Sequence, residues 1–127
     1  MYVEDVKLPL LQEGKSDIMR RKEMKELMED IFRQEMSTRD AGQKEYARDE
    51  DNVFANFERI ALFTGTSREK VLLTYMIKHI DGLCAYADGH RSQREDVRGR
   101  LTDIRVYSAI FWGMVEDNEH GDRTLED

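Results

Sequence analysis

Apolar side chains recur every three or four residues over most of the chain, which is the spacing of amphipathic helices. The first such segment follows Ser16, a residue type that favours helix N-termini. Its apolar positions are Met24, Leu27, Met28, Ile31 and Phe32. We therefore predict a first helix over residues 16–37. The polar segment after it, STRDAGQKEYARDED, has no periodicity and is predicted to be a connecting loop.

Two further helices are predicted on either side of Gly65. The apolar positions before it share one helical face: Val53, Phe57, Ile60 and Ala61. Glycine adopts the left-handed conformation common just after a helix, so Gly65 is suited to end this one. Thr66 and Glu69 have the spacing of a capping box, at which a third helix would begin and run to about Ala87.

A fourth helix is predicted over residues 94–117. One face is apolar and is expected to face the core: Val97, Leu101, Ile104, Ser108, Phe111, Trp112 and Val115. The third helix is apolar around most of its circumference. This pattern predicts neighbours on several sides, and a second subunit could be one of them.

The pattern as a whole predicts an all-α protein, because no strand-like alternation is found. Four helices joined by short connections indicate a four-helix bundle. We expect one helical domain over residues 16–117, an N-terminal arm over 1–15, and an acidic, disordered tail over 118–127. The total of 127 residues suits one domain.

Composition limits the kind of partner. The net charge is −7, which argues against binding duplex nucleic acid. No apolar segment approaches the roughly 20 residues of a membrane span, so no membrane association is expected. The single cysteine forms no internal disulfide and favours a reducing compartment, so we expect a cytoplasmic protein.

Polar side chains form a stripe beside the apolar face of the fourth helix. Its members are Asp96, Arg100, Asp103 and Tyr107, at steps of four, three and four residues. Arg100 is expected to pair with Asp96 or Asp103, and Tyr107 to donate to Asp103. Two interpretations remain open: a partly buried ion pair that orients the helix, or a polar pocket between the third and fourth helices.

The third helix offers further candidates for such a pocket. Lys78 and Asp81 are adjacent on its surface, whereas His79 lies within its apolar arc. The catalytic candidates are Asp103, Asp81 and His79. For His79 the alternative is a hydrogen-bonded core histidine.

Arginines also cluster where the fourth helix is predicted to begin. Arg94, Arg98 and Arg105 share a face, and His90 and Arg91 precede them. A helix N-terminus favours anions, so a phosphate-bearing ligand would fit there. The alternative is that these arginines offset the acidity of the chain. The ligand-binding candidates are Lys78, Arg100, Tyr107, Arg94 and Arg98.

Metal binding has weaker support. Glu26 and Glu29 form an E-x-x-E pair that could hold Mg²⁺, although such spacing is common on solvated helix faces. The remaining metal candidates are Asp96 and Asp103. No cofactor is therefore expected, with Mg²⁺ as the exception if the protein is an enzyme.

Two stretches carry a resemblance to a known family. EDNVFANFERIALFTGTSREKVLLTYMIKHIDGL and GRLTDIRVYSAIFWGMVED resemble a family of small phage and prophage proteins. Members carry a FANF helix, a K-H-x-D helix and a final G-R-x-x-D-x-x-x-Y helix. The resemblance covers residues 45–117. That family is similar to the nucleotide modification associated domain 1 and, more distantly, to MazG-like all-α nucleotide pyrophosphohydrolases.

The resemblance implies a MazG-like bundle that forms a homo-oligomer in the cytoplasm of a phage host. Such enzymes bind Mg²⁺ through an E-x-x-E and an E-x-x-D pair. Asp103 matches the last position, but Arg100 replaces the Glu before it and cannot ligate a metal. The implied function is binding, or pyrophosphohydrolase-like hydrolysis, of a nucleotide or related phosphorylated small molecule. The alternative is a non-enzymatic phage protein that binds a host protein or sequesters a nucleotide signal.

Overall fold

The computed structural model of the chain describes residues 18–92 and 94–126, with side chains through residue 121. Within these ranges the chain forms four α-helices and a π-helical turn, and no strand. The elements are α1 (Arg21–Gly42), the π-helical turn (Gln43–Ala47), α2 (Ala55–Thr64), α3 (Arg68–Ala87) and α4 (Val97–Glu126). The predicted all-α helical bundle is confirmed for the described part of the chain.

The first helix is displaced from its predicted position. Ser16 and the predicted N-terminal arm lie outside the described residues, and α1 begins after Arg20, whose side chain makes no capping hydrogen bond. The predicted loop is wrong, because helical structure continues to Ala47. Gln43 stabilises this continuation: its side-chain amide donates to the carbonyl oxygens of Asp49 at 2.6 Å and Asn52 at 3.1 Å.

Gly65 ends α2 as predicted, with a φ angle of 72°. The capping prediction for α3 is wrong by one residue, because Ser67 is the N-cap and its hydroxyl accepts from the Lys70 amide at 3.2 Å. Thr66 does not cap α3, and its own amide donates to the Ala61 carbonyl at the end of α2. Thr66 therefore belongs to the termination of α2.

The fourth helix is also displaced. It begins at Val97, three residues later than predicted, because Asp96 caps it by accepting the Arg98 amide at 2.7 Å. It continues to Glu126, so the segment over 118–127, expected to be disordered, is helical through residue 126.

The hydrophobic core lies where α2, α3 and α4 meet. Its buried side chains are Phe57, Ala61, Val71, Leu72 and Met114. α3 packs on both α2 and α4, and α1 packs on α4. This arrangement determines which face of α4 is buried.

The predicted core face of α4 is only partly right: Phe111 packs against the core, but other members of the face do not. Leu101, Trp112 and Val115 are exposed, and Trp112 has 71% of its surface accessible. The buried line instead contains Thr102, Val106 and Met114. Asp103 and Tyr107 of the polar stripe are half-buried against α3, so this part of the stripe faces the interior.

The expectation that α3 is covered on several sides does not hold within one chain. Val71, Leu72 and His79 are its buried residues. Leu73, Ile77 and Ile80 are exposed at helical spacing, and Ile77 has 62% of its surface accessible. Across the described residues, no helix combines the length and apolarity needed to cross a membrane.

Arg68 joins three helices at one end of the bundle. Its guanidinium donates to Glu58 of α2 at 3.0 Å, and to Asp117 and Asn118 of α4 at 2.8 Å each. It also lies 4.6 Å from the centre of the Phe54 ring. Charge-assisted bonds of this kind are stronger than neutral ones, so Arg68 is a structural contact between helices.

Arg68→Ala is expected to lower the free energy of unfolding by about 1–2 kcal/mol, because it removes these bonds from partners that are partly exposed. Chemical denaturation measures the loss. Arg91→Ala is the control, since Arg91 lies over an exposed ring, that of Tyr86. Equal stabilities for the two variants would contradict the structural role of Arg68.

Candidate functional site

A cavity of about 630 Å³ lies among α1, the π-helical turn, α2, α3 and α4. Small-molecule sites have volumes of roughly 300–1,000 Å³, so this one can hold a ligand. Seven of its lining residues carry the chemistry discussed below: Tyr46, Arg48, Lys78, His79, Glu95, Asp103 and Tyr107. Four of the seven are residues for which the sequence predicts a site.

The π-helical turn forms one wall of the cavity. π-Helical turns are rare and are frequent at functional sites. Its last two carbonyl oxygens accept hydrogen bonds from Arg59 of α2, at 2.6 Å for Tyr46 and 2.7 Å for Ala47. Arg48 follows with a left-handed φ of 52°, which ends the turn. Arg59 thereby holds this wall against α2.

His79 lies at the centre of the polar part of the cavity. Its imidazole is buried, with 7% of the residue accessible. Nε2 is 3.3 Å from Oδ2 of Asp103, and Nδ1 is 3.7 Å from Oε1 of Glu95. The second distance is too long for a hydrogen bond. Nδ1 is thus a buried nitrogen without a hydrogen-bond partner among the described residues.

Arg100 interacts with Glu95, not with Asp96 or Asp103 as expected. Its Nη2 atom is 3.5 Å from Oε2 of Glu95. The guanidinium lies against α3 at Gly82, where an added Cβ would stand 2.5 Å from it. A glycine at this position therefore makes room for Arg100. The two oxygens of Glu95 face different groups, Oε1 towards His79 and Oε2 towards Arg100.

Aromatic rings form the apolar part of the cavity. Tyr107 stacks on Tyr75 with ring centres 6.2 Å apart, and it lies 5.8 Å from the His79 ring. Asp103 and Tyr107 therefore face α3, as the sequence predicts. The expected hydrogen bond from Tyr107 to Asp103 is absent among the described residues. The Tyr107 hydroxyl is accordingly left available to other partners.

Burial changes the acidity of both groups. It raises the pKa of Asp103 above its usual range, against the opposing effect of nearby His79. It also raises the pKa of Tyr107 to about 12, and the neighbouring Asp103 charge adds to this shift. Tyr107 is thus a neutral phenol at physiological pH. It can donate a hydrogen bond next to a carboxylate that can accept one.

Three exposed cations line the cavity, and one of them, Arg59, is hydrogen-bonded to the π-helical turn. Lys78 of α3 and Arg48, after the π-helical turn, both line it, and neither forms an ion pair with another described residue. Both charges are therefore available to an anion. The cavity combines cationic groups at its surface with two carboxylates and an imidazole in its interior.

Other predicted site residues lie elsewhere. Asp81 is exposed and does not line the cavity. Arg94 and Arg98 are also outside it, and Arg98 lies 3.6 Å from Asp96. Arg105 pairs with Glu35 of α1 at 2.9 Å. The arginines near the start of α4 are thus on the outer surface and do not form part of this site.

Among the described residues, one group could hold a metal ion: His79, Glu95 and Asp103, whose donor atoms lie within 4.8 Å of one another. Of the metal candidates from the sequence, Asp103 alone belongs to it. Glu26 and Glu29 are exposed on α1, and Asp96 caps α4.

Sequence reasoning missed Glu95, Tyr46 and Arg48. Glu95 precedes α4 and Arg48 follows the π-helical turn, and neither belongs to an apolar or polar stripe of the predicted helices. Tyr46 lies in a segment predicted to be a loop. No periodicity could have placed these residues beside His79, because chain reversals bring them there.

The comparisons with known proteins add no relative. Neither the protein-family models, nor the curated proteins, nor the solved structures contain a match for this chain. The function is therefore argued from the cavity and its residues.

The shifted pKa of Tyr107 predicts a loss of stability in alkali. An unfolded tyrosine ionises near pH 10, whereas Tyr107 in the folded chain retains its proton until about pH 12. Between these values the folded state binds more protons, so the free energy of unfolding falls as the pH rises. Phenolate absorbance and denaturation at several pH values measure both effects.

Tyr107→Phe is expected to remove the late ionisation and to flatten the alkaline loss of stability. Tyr86→Phe is the control, because Tyr86 lies outside the cavity and should leave both intact. Ionisation of every tyrosine near pH 10 in the folded wild type would contradict the assigned burial of Tyr107.

Proposed function

We propose that the chain binds a phosphorylated small molecule, of the nucleotide class, in this cavity. The observation that carries the proposal is the combination of three kinds of group in one ligand-sized space. These are cations that pair with no carboxylate of the described residues, a wall of aromatic rings, and a buried imidazole between two carboxylates. Nucleotides contain a matching part for each kind of group.

The phosphate groups would be bound by Lys78 and Arg48. Both side chains are exposed, so neither pays a desolvation cost in the absence of ligand. A guanidinium can form two parallel hydrogen bonds to phosphate, and an ammonium acts as a point charge. Because the chain as a whole carries a net charge of −7, an anionic ligand would be attracted at these two cations and repelled by most of the remaining surface.

The base and sugar would occupy the interior. Tyr46 presents an aromatic ring on the π-helical turn, and Tyr75 and Tyr107 form a stacked pair opposite the polar groups. Aromatic rings stack on planar bases. Glu95 and Asp103 can accept hydrogen bonds from hydroxyl or amino groups, and Tyr107 can donate one.

The same groups suit a hydrolytic step. A neutral imidazole can accept a proton from water, and a carboxylate on its other nitrogen holds its orientation. Incubation of the protein with nucleoside triphosphates, followed by measurement of pyrophosphate, tests a pyrophosphohydrolase-like activity. Ligand that is bound and released unchanged would instead favour a phage protein that sequesters a nucleotide signal.

Lys78→Gln is expected to weaken binding of nucleoside triphosphates by about tenfold or more, because one charge-assisted contact contributes roughly 1.5–3 kcal/mol. The melting temperature should stay unchanged, since Lys78 is exposed and supports no other described residue. Calorimetric titration with a nucleotide panel measures the affinity.

Lys70→Gln is the matched control, because Lys70 is an exposed lysine of the same helix outside the cavity. Equal affinities for the two variants would exclude Lys78 from phosphate binding. No binding of any phosphorylated compound by the wild type would reject the proposed function.

We also propose that the chain forms a homo-oligomer. Among the described residues, seventeen large apolar side chains are exposed, whereas eight apolar residues are buried and three of these are alanines. A single chain thus has little core to stabilise it. A second copy of the chain is always present at the same concentration as the first. We therefore expect it to be the partner that covers the exposed apolar side chains and stabilises the fold.

The exposed stripes have enough apolar area for an interface. Met24, Met28, Phe32 and Met36 follow α1 at steps of four, and Leu101, Trp112 and Val115 follow α4. About half of each side chain is accessible, which gives on the order of 600 Å² per chain. The corresponding dimer would bury about 1,200 Å², the lower end of stable interfaces.

The wild type is expected to sediment as a dimer or larger species. Phe32→Glu combined with Trp112→Glu should shift it to a monomer of lower stability, because two charges would be buried at the interface. Lys25→Glu, on the polar side of α1, is the control and should leave the mass unchanged. A monomeric, stable wild type at high concentration would contradict self-association and favour a different protein as the partner.

A further inference from the structure

Within the part of the chain that the structure describes, Nδ1 of His79 is a buried nitrogen that no hydrogen-bond partner reaches. Buried polar atoms are hydrogen-bonded in the great majority of cases, so an exception calls for a physical reason. His79 is more than nine-tenths buried, and Nδ1 faces an oxygen of Glu95 across 3.7 Å. The gap is too wide for a hydrogen bond and too narrow for an intervening water that bonds both atoms.

The gap does fit a metal ion. Zinc lies about 2.0–2.1 Å from a histidine nitrogen and about 2.0–2.2 Å from a carboxylate oxygen. Two ligands of a tetrahedral ion are consequently about 3.3–3.5 Å apart. The observed 3.7 Å between Nδ1 and Oε1 differs from this by a few tenths of an ångström. A small movement of the Glu95 carboxylate would close the site.

The other edge of the imidazole supports the same arrangement. Nε2 lies 3.3 Å from Oδ2 of Asp103. Metal-bound histidines almost always donate their second N–H to a carboxylate, carbonyl or water, which fixes the tautomer and the ring orientation. A hydrogen on Nε2, directed at Asp103, leaves the lone pair of Nδ1 directed at Glu95.

We propose that Nδ1 of His79 and Oε1 of Glu95 bind a divalent transition-metal ion, with Asp103 positioning the imidazole from its opposite edge. The nitrogen ligand favours zinc, cobalt, nickel or iron over Mg²⁺, which prefers oxygen ligands alone. The remaining coordination positions face the cavity, where water or an anionic group of a ligand would occupy them.

Arg100 is compatible with this assignment. Its guanidinium is directed at Oε2 of Glu95, 3.5 Å away, and leaves Oε1 to the ion. Packing against Gly82 holds it there. Arg100 thus positions Glu95 as Asp103 positions His79.

The site shares the cavity with the proposed function but does not rest on it, because the ion would bind without a phosphorylated ligand. The test accordingly uses the metal alone. The untagged full chain is titrated with Co²⁺, and both the heat of binding and the visible absorption of the ion are followed. We expect saturable binding and the enhanced absorption of a cobalt ion bound by nitrogen and oxygen ligands, undisturbed by excess Mg²⁺.

Variants then assign the ligands. His79→Ala and Glu95→Gln are each expected to weaken Co²⁺ binding by more than about 100-fold, whereas Asp103→Asn should weaken it about 10–100-fold, as is typical of residues that position a ligand. His90→Ala, Asp96→Asn and Cys84→Ser should bind as the wild type does. Circular dichroism verifies the fold, and Glu95→Gln, which keeps the shape of the side chain, decides the matter if His79→Ala does not fold.

Two results would overturn the proposal: the spectrum of the free aqueous ion at every Co²⁺ concentration, or unchanged affinity in both His79→Ala and Glu95→Gln. The two hypotheses fail separately. Nucleotide binding in the presence of a chelator, without any Co²⁺ binding, would reject the metal site and retain the proposed function. Co²⁺ binding that depends on His79, without binding of any phosphorylated compound, would reject the proposed function and retain the metal site.

Discussion

The burial of an imidazole between two carboxylates is the constraint on which the rest of the structure depends. Charged groups removed from water lose hydration that neighbouring groups must replace. Asp103 and Glu95 lie on opposite edges of His79, and Arg100 faces the outer oxygen of Glu95. None of these groups could be buried alone. They require α3 and the start of α4 at one fixed separation, and Gly82 permits that separation.

This polar contact explains the unusual distribution of apolar residues. Because the polar stripe of α4 faces α3, the apolar stripe of the same helix faces outwards, with Leu101 and Trp112 exposed. The core that remains is small and lies towards the other end of α3, around Leu72 and Met114. A chain that uses one of its interior surfaces for polar groups has apolar surface left for a second copy. The cavity and the proposed oligomer therefore have a common physical origin.

The cavity also depends on a local feature of α1. The π-helical turn widens the end of that helix, and Arg59 binds its terminal carbonyl oxygens. This wall positions Tyr46 and Arg48 opposite the stacked rings of α3 and α4. Burial removes Asp103 and Tyr107 from water into surroundings of low polarity, which raises the pKa of both. The same low polarity would strengthen the interactions of a bound ion or phosphate group.

The sequence by itself determined the helical class, the end of α2, the bounds of α3 to within two residues, and the position of Asp103 and Tyr107 facing α3, because helical periodicity and glycine geometry are local properties. It did not determine which arc of α4 is buried, since an apolar face is equally satisfied by the core or by another chain. Glu95 and the cavity wall could not be predicted from the sequence either, because turns of the chain bring them to the site. Only the packing of α1 and α3 on α4 decided that the polar stripe faces inwards.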